Sequence, residues 1–153
     1  MYKKLKSTLL LLAAIALLLS GCNFRVEKNT FYVDRDKIDS IEIQREYFDE
    51  EGNSYFRCKN ITDPSDLDTL CRKIRTLPVE RASGKEAHPV DAFSLIILLH
   101  GSTDHHLVMS EKMAYYDQMA YDYAKKGVYA DFLELYNNFG YEEEDTEPTR
   151  FPK

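Results

Sequence analysis

Ile41, Ile43, Arg45 and Tyr47 alternate with Glu42, Gln44 and Glu46, the period-two spacing of a strand with two unlike faces. Asp49-Glu50-Glu51-Gly52-Asn53 is turn chemistry, and Tyr55 to Lys59 returns, so the two runs predict an antiparallel hairpin. A helix follows. Asp63 is placed to cap it, Pro64 suits the first helical position, and Asp66 stands where a capping-box acid would be. Leu67, Leu70, Cys71, Ile74 and Leu77 then form one apolar stripe, and Pro78 ends it. Residues 79 to 90 read as a polar connection with a short edge strand near Val79. Phe93 to Leu99 is apolar at nearly every position, which predicts a central strand covered on both sides. After a turn at Gly101 to Asp104, His105 to Ser110 returns, and Lys112 to Tyr123 adds one or two short strands. Gly127 breaks the chain before a second helix. Its face is Tyr129, Phe132, Leu133, Tyr136 and Phe139, with Gly140 as the expected C-terminal cap. This order predicts an α+β domain: an antiparallel sheet of about five strands with two helices packed on one face.

The N-terminus follows a different rule. Lys3, Lys4 and Lys6 precede eleven uninterrupted apolar residues, Leu9 to Leu19, and then Ser20, Gly21 and Cys22. As a helix that run rises only about 16 Å, against a hydrocarbon core of roughly 30 Å, so it is too short for a stable span. A basic start, a short apolar run and small residues at a cut are the marks of a secretory signal. Leu19-Ser20-Gly21-Cys22 resembles the lipobox of bacterial lipoproteins. The resemblance implies a diacylglyceryl group on the Cys22 sulfur and cleavage between Gly21 and Cys22. Two acyl chains give a durable anchor where one gives only reversible binding. The layout of the body, with its Ile-x-Ile strand, Thr-Asp-Pro-x-Asp-Leu helix start and Tyr-rich closing helix, resembles the small extracytoplasmic lipoproteins of Gram-positive bacteria. That likeness carries no catalytic residues with it.

The expected organisation is a signal peptide at 1–21, a lipidated N-terminus and tether at 22–36, one domain at 37–141, and a disordered tail at 142–153. The tail holds five acids among residues 142 to 147. Removing residues 1–21 takes away three lysines and no acid, moving the net charge from −6 to −9. An acidic chain lacks the cationic footprint of a nucleic-acid binder, and it lacks a polybasic grip on anionic lipid. The expected partners are therefore the membrane, through the lipid, and an envelope protein or glycan.

Two thiols remain beyond Cys22. Cys58 and Cys71 lie in a compartment that permits disulfides, and their spacing allows either a bridge or two small buried hydrophobes. Among polar groups, His100, Asp104 and His105 are the candidate metal ligands. On a four-residue turn His100 and His105 would close the hairpin on one face, with His106 opposite, and could approach zinc or copper. Ser102, Asp104 and His105 have the residue types of a hydrolytic triad, but all three on one tight turn is poor triad geometry. Six tyrosines between Tyr115 and Tyr136 offer stacking faces for glycan or protein, or else fill a half-buried sheet.

The reading is a membrane-anchored, extracytoplasmic, non-enzymatic binding or interaction domain. One alternative is a metal-binding lipoprotein using the His100/His105 hairpin. Another is an envelope accessory enzyme whose carboxylates the spacing does not single out.

Overall fold

The computed structural model describes residues 31–82 and 94–149. The lipobox motif, with Gly21 and Cys22, lies outside them, as does Phe93. The domain is α+β. A short 3-10 turn at Arg35–Lys37 leads into β1 (Ile38–Phe48), β2 (Ser54–Ile61), α1 (Pro64–Arg75) and β3 (Val79–Arg81). β4 (Leu95–Gly101), β5 (His105–Met109), β6 (Met113–Tyr116) and β7 (Met119–Tyr123) form a meander. α2 (Val128–Asn138) and β8 (Glu144–Thr146) close the described chain. All pairings are antiparallel, in the order β3-β7-β6-β5-β4-β1-β2-β8.

The sheet thus has eight strands among the described residues, not about five. The difference lies in short strands at its edges. β3, at one edge, is the short strand expected near Val79, whereas β8 falls in the expected tail, where three residues are too few to leave a period-two signal and pairing with β2 defines it.

The register sorts the side chains, because residues directly opposite in an antiparallel pair share a face. Ile43, Ile97, Leu107 and Tyr116 form one cross-strand row. They join one core with Leu67, Leu70, Cys71 and Ile74 of α1 and with Val128, Phe132 and Tyr136 of α2. The adjacent row of Gln44, Ile96, Val108, Tyr115 and Ala120 faces the other way. There Ile96, Leu98, Val108, Met113, Tyr115 and Ala120 form a second, smaller cluster. The unbroken apolar run of β4 is explained by these two clusters, one on each side.

Both domain boundaries move outward from the expected 37–141. Phe31 and Val33 are buried in the main core, so the tether ends before them. Phe31 stacks on Tyr116 with ring centroids 4.2 Å apart, and the Tyr116 hydroxyl donates to the Tyr32 carbonyl. At the other end, residues expected to be disordered include β8, which pairs with Phe56, Arg57 and Cys58. Two of the acids there have a partner, since Arg57 reaches both Glu143 and Asp145.

Helix ends explain two further details. Asp63 caps α1 as expected, its carboxylate accepting from the Ser65 and Asp66 amides. Tyr141 takes the reciprocal part of the capping box, accepting from the Asp63 amide and donating to Asp66. α2 does not end on a left-handed Gly140; its cap is an extended Phe139. Instead the buried ammonium of Lys59 donates to the carbonyls of Tyr136 and Phe139 at 3.0 and 2.8 Å. A cation among the unpaired carbonyls of a helix C-terminus satisfies them and opposes the dipole.

Candidate functional site

The histidine hairpin is built differently from its expected form. Leu99 pairs with His105 and Leu98 with His106, which leaves a five-residue connection, His100 to Asp104. His100 is paired instead with Ser40 of β1. Alternation along β4 puts His100 on the face opposite to Leu99, hence opposite to His105. The two expected ligands are not brought together, while His106 shares a face with Leu98. A weak contact of 3.9 Å joins His100 to Asp104. Among the described residues no group of three or more His, Cys, Asp and Glu side chains is placed to hold a metal ion.

What does meet His105 is Asp117, a residue the sequence pattern does not single out. Asp117 and Gln118 both have positive φ, 44° and 72°, as the two-residue hairpin turn between β6 and β7 requires. From that turn the Asp117 carboxylate reaches the His105 Nδ1 at 2.7 Å and accepts from the His106 amide at 2.9 Å. The His105 ring also stacks on Tyr116. The arrangement ties the start of β5 to the β6–β7 turn, a structural task.

Cys58 and Cys71 are both buried free thiols. Cys71 lies in the main core, whereas Cys58 is in register with Gln44 and Glu144 on the opposite face. The sheet stands between them. Burial, its largest cause, pushes both thiols above the ordinary cysteine value, which suppresses the reactive thiolate.

A concavity lies at the start of α2. A cleft of about 480 Å³ is lined by Glu111, Lys112, Tyr123, Lys125, Lys126 and Tyr129, among others. Gly127 begins the helix in the left-handed conformation, with φ 86°, and no side chain caps the first amides. Lys112, Lys125 and Lys126 are exposed, and none has an ion-pair partner among the described residues. Tyr123 anchors the wall by donating to the Ser110 and Met113 carbonyls, and burial raises its phenol well above the usual range. Beside the cleft, sharing Glu111 and Lys112, a second recess of about 390 Å³ holds Phe48, Ser94 and Met113. Nothing in the hydrophobic pattern marks these lysines. They become neighbours because the β5–β6 turn and the β7–α2 connection meet at one end of the sheet.

Tyrosine placement divides. Tyr115, Tyr116 and Tyr136 are buried, filling the sheet and the helix packing, while Tyr32 and Tyr55 are exposed. No known protein family, curated protein or solved structure gives a match to the chain.

Proposed function

We propose that this protein is a lipid-anchored, extracytoplasmic binding domain without catalytic activity of its own. The observation that carries the reading is Cys22 directly after Leu19-Ser20-Gly21, behind an apolar run too short to span. The diacylglyceryl thioether holds the chain at the outer face of the cytoplasmic membrane. Phe31 begins the folded core, so only a short segment separates domain from bilayer. The binding surface is the cleft at the start of α2. Three lysines without ion-pair partners among the described residues, on a chain of net charge −6, distinguish that cleft. They favour a ligand with an anionic group, while Tyr123 and Tyr129 supply apolar wall, as in a glycan or peptide carrying a carboxylate.

Two measurements test the halves separately. Expressed in a bacterium that processes lipoproteins, the native chain should take up labelled palmitate and partition into detergent. Cys22→Ser should lose both; equal labelling of the variant overturns the anchor. For the cleft, the soluble domain should show chemical-shift changes at residues 123–130 on titration with anionic oligosaccharides and acidic peptides. Lys125→Glu with Lys126→Glu should weaken that response about tenfold or more, the scale of one or two charge-assisted contacts. A response that is unchanged, or centred elsewhere, removes the cleft from the reading.

A further inference from the structure

β2 is eight residues long, yet β8 pairs with only three of them. The covering strand is mostly exposed, with the Asp145 side chain 84% exposed, and it follows a connection that includes Gly140. It is held chiefly by side chains. Glu143 accepts from Tyr47 at 3.0 Å and pairs with Arg57, Asp145 pairs with Arg57, and Thr149 exchanges two hydrogen bonds with the Gln44 amide. Glu143 and Asp145 are two positions apart, so in an extended strand they stand on the same side, where one guanidinium meets both. A strand with so little buried apolar surface opens at a small fraction of the global unfolding free energy. What it leaves on opening is a row of unpaired backbone groups beside Arg57, Tyr47 and Gln44.

From this geometry we infer that the β2 edge is a strand-acceptor site for an extended acidic peptide of a partner protein, held in reserve by the chain's own tail. The ligand adds as an antiparallel strand: backbone hydrogen bonds supply affinity, and an acid-x-acid pair on Arg57 supplies selection. Charge complementarity names the occupant class, because the tail that fits there carries five acids between residues 142 and 147. The tail competes in cis at the high effective concentration of a tethered segment, so a trans ligand gains access only when the tail lifts. This site is on the opposite edge of the sheet from β3 and does not involve the lysine-lined cleft.

The test uses the full mature chain and a labelled peptide with the sequence of residues 141–149. Glu143→Gln with Asp145→Asn weakens the tail's grip and leaves the acceptor intact. In hydrogen exchange, the Phe56 and Cys58 amides, which alternate toward β8, should lose protection while Arg57, β1, β4 and β5 keep theirs. The doubly substituted chain should bind the peptide at least about tenfold more tightly than the native chain. Arg57→Ala added to it, or a scrambled peptide, should abolish the gain, and peptide binding should restore the lost protection. Protection lost across the whole sheet makes the tail part of the cooperative fold and overturns the inference. So does an opened edge that ignores the peptide, or binding equal in the native and substituted chains. A reversible dimer of the substituted chain, formed by tail exchange, makes a second copy the occupant and overturns the assignment to a partner protein.

Discussion

Lys59 closes the C-terminal end of α2. It is 6% exposed, donates to two helix-end carbonyls, and lies 4.7 Å from the centroid of the Tyr136 ring. Lys59→Met keeps the stem volume and leaves two carbonyls unsatisfied in a dry place. Urea unfolding should show a loss of about 2–3 kcal/mol, the scale of buried hydrogen bonds to a charged donor. A loss below a few tenths would show that water takes over the carbonyls. Gly101 is the other position where one atom decides. A Cβ built there falls 1.8 Å from the Lys37 carbonyl oxygen, so Gly101→Ala must push apart the β1–β4 contact. The expected cost is about 1–3 kcal/mol, read from thermal unfolding, and an unchanged midpoint refutes the close approach. Neither role is legible locally. Lys59 reads in sequence as an exposed strand end, and Gly101 as ordinary turn glycine. Asp63, whose partners lie two and three residues on, was legible because its capping bonds are local.

Among the elements, the tail strand has the clearest dependence on pH. Burial pushes the Glu143 carboxyl up, but the Tyr47 and Tyr136 hydroxyls and the Lys59 and Arg57 charges outweigh it, and the group titrates below its usual range. The buried Tyr136 hydroxyl lies beside that carboxylate without a fully formed hydrogen bond. A lowered folded value means the ionised form is the one that stabilises. The tail's contribution is therefore complete above the ordinary glutamate value of about 4.3 and fades as pH falls through the lower folded value. Exchange protection at Phe56 and Cys58 should be constant near neutrality and drop in acid. In Glu143→Gln the protection should be lower at neutrality, and the part of the acid response owed to this carboxyl should be gone. A native profile that is flat in acid overturns the assignment of the latch to Glu143. The long elements were legible because their periodicity runs over many residues: β1, α1 and α2 appear where alternation and the helical stripe put them. The edge strand near Val79 was legible as well, but β8 was not, since three residues within an acidic run carry no period. The β4–β5 register also escaped, because pairing of β4 with β1 carries the strand on to Gly101 and turns His100 away from His105.

For the molecule as a whole, the eight-stranded sheet acts as a wall. One consequence concerns the thiols. Cys58 and Cys71 lie on its two sides, so both should stay titratable thiols in the absence of reductant. Both should react slowly in the native state and fully after unfolding, and reduction should not change mobility on a denaturing gel. A shift on reduction would mean the two meet after all. Another consequence concerns charge. Glu143 and Asp145 of the tail are drawn to Arg57 at one end of the strand order, while Lys112, Lys125 and Lys126 around the cleft have no ion-pair partner among the described residues. An acidic chain thus keeps a cationic recess that its net charge conceals.

The sequence by itself determined the α+β class, the first helix with its cap, and the strand of β4 apolar on both faces. Each is a signal written over consecutive or periodically spaced residues, where neighbours along the chain are also neighbours in space. Only the tertiary structure decided the number of strands, the separation of His100 from His105, the meeting of His105 with Asp117, the isolation of Cys58 from Cys71, and the binding of the acidic tail to Arg57. Those depend on strand register and on which face a side chain takes. A shift of one residue exchanges the faces of a strand, and pairing between distant segments sets that shift.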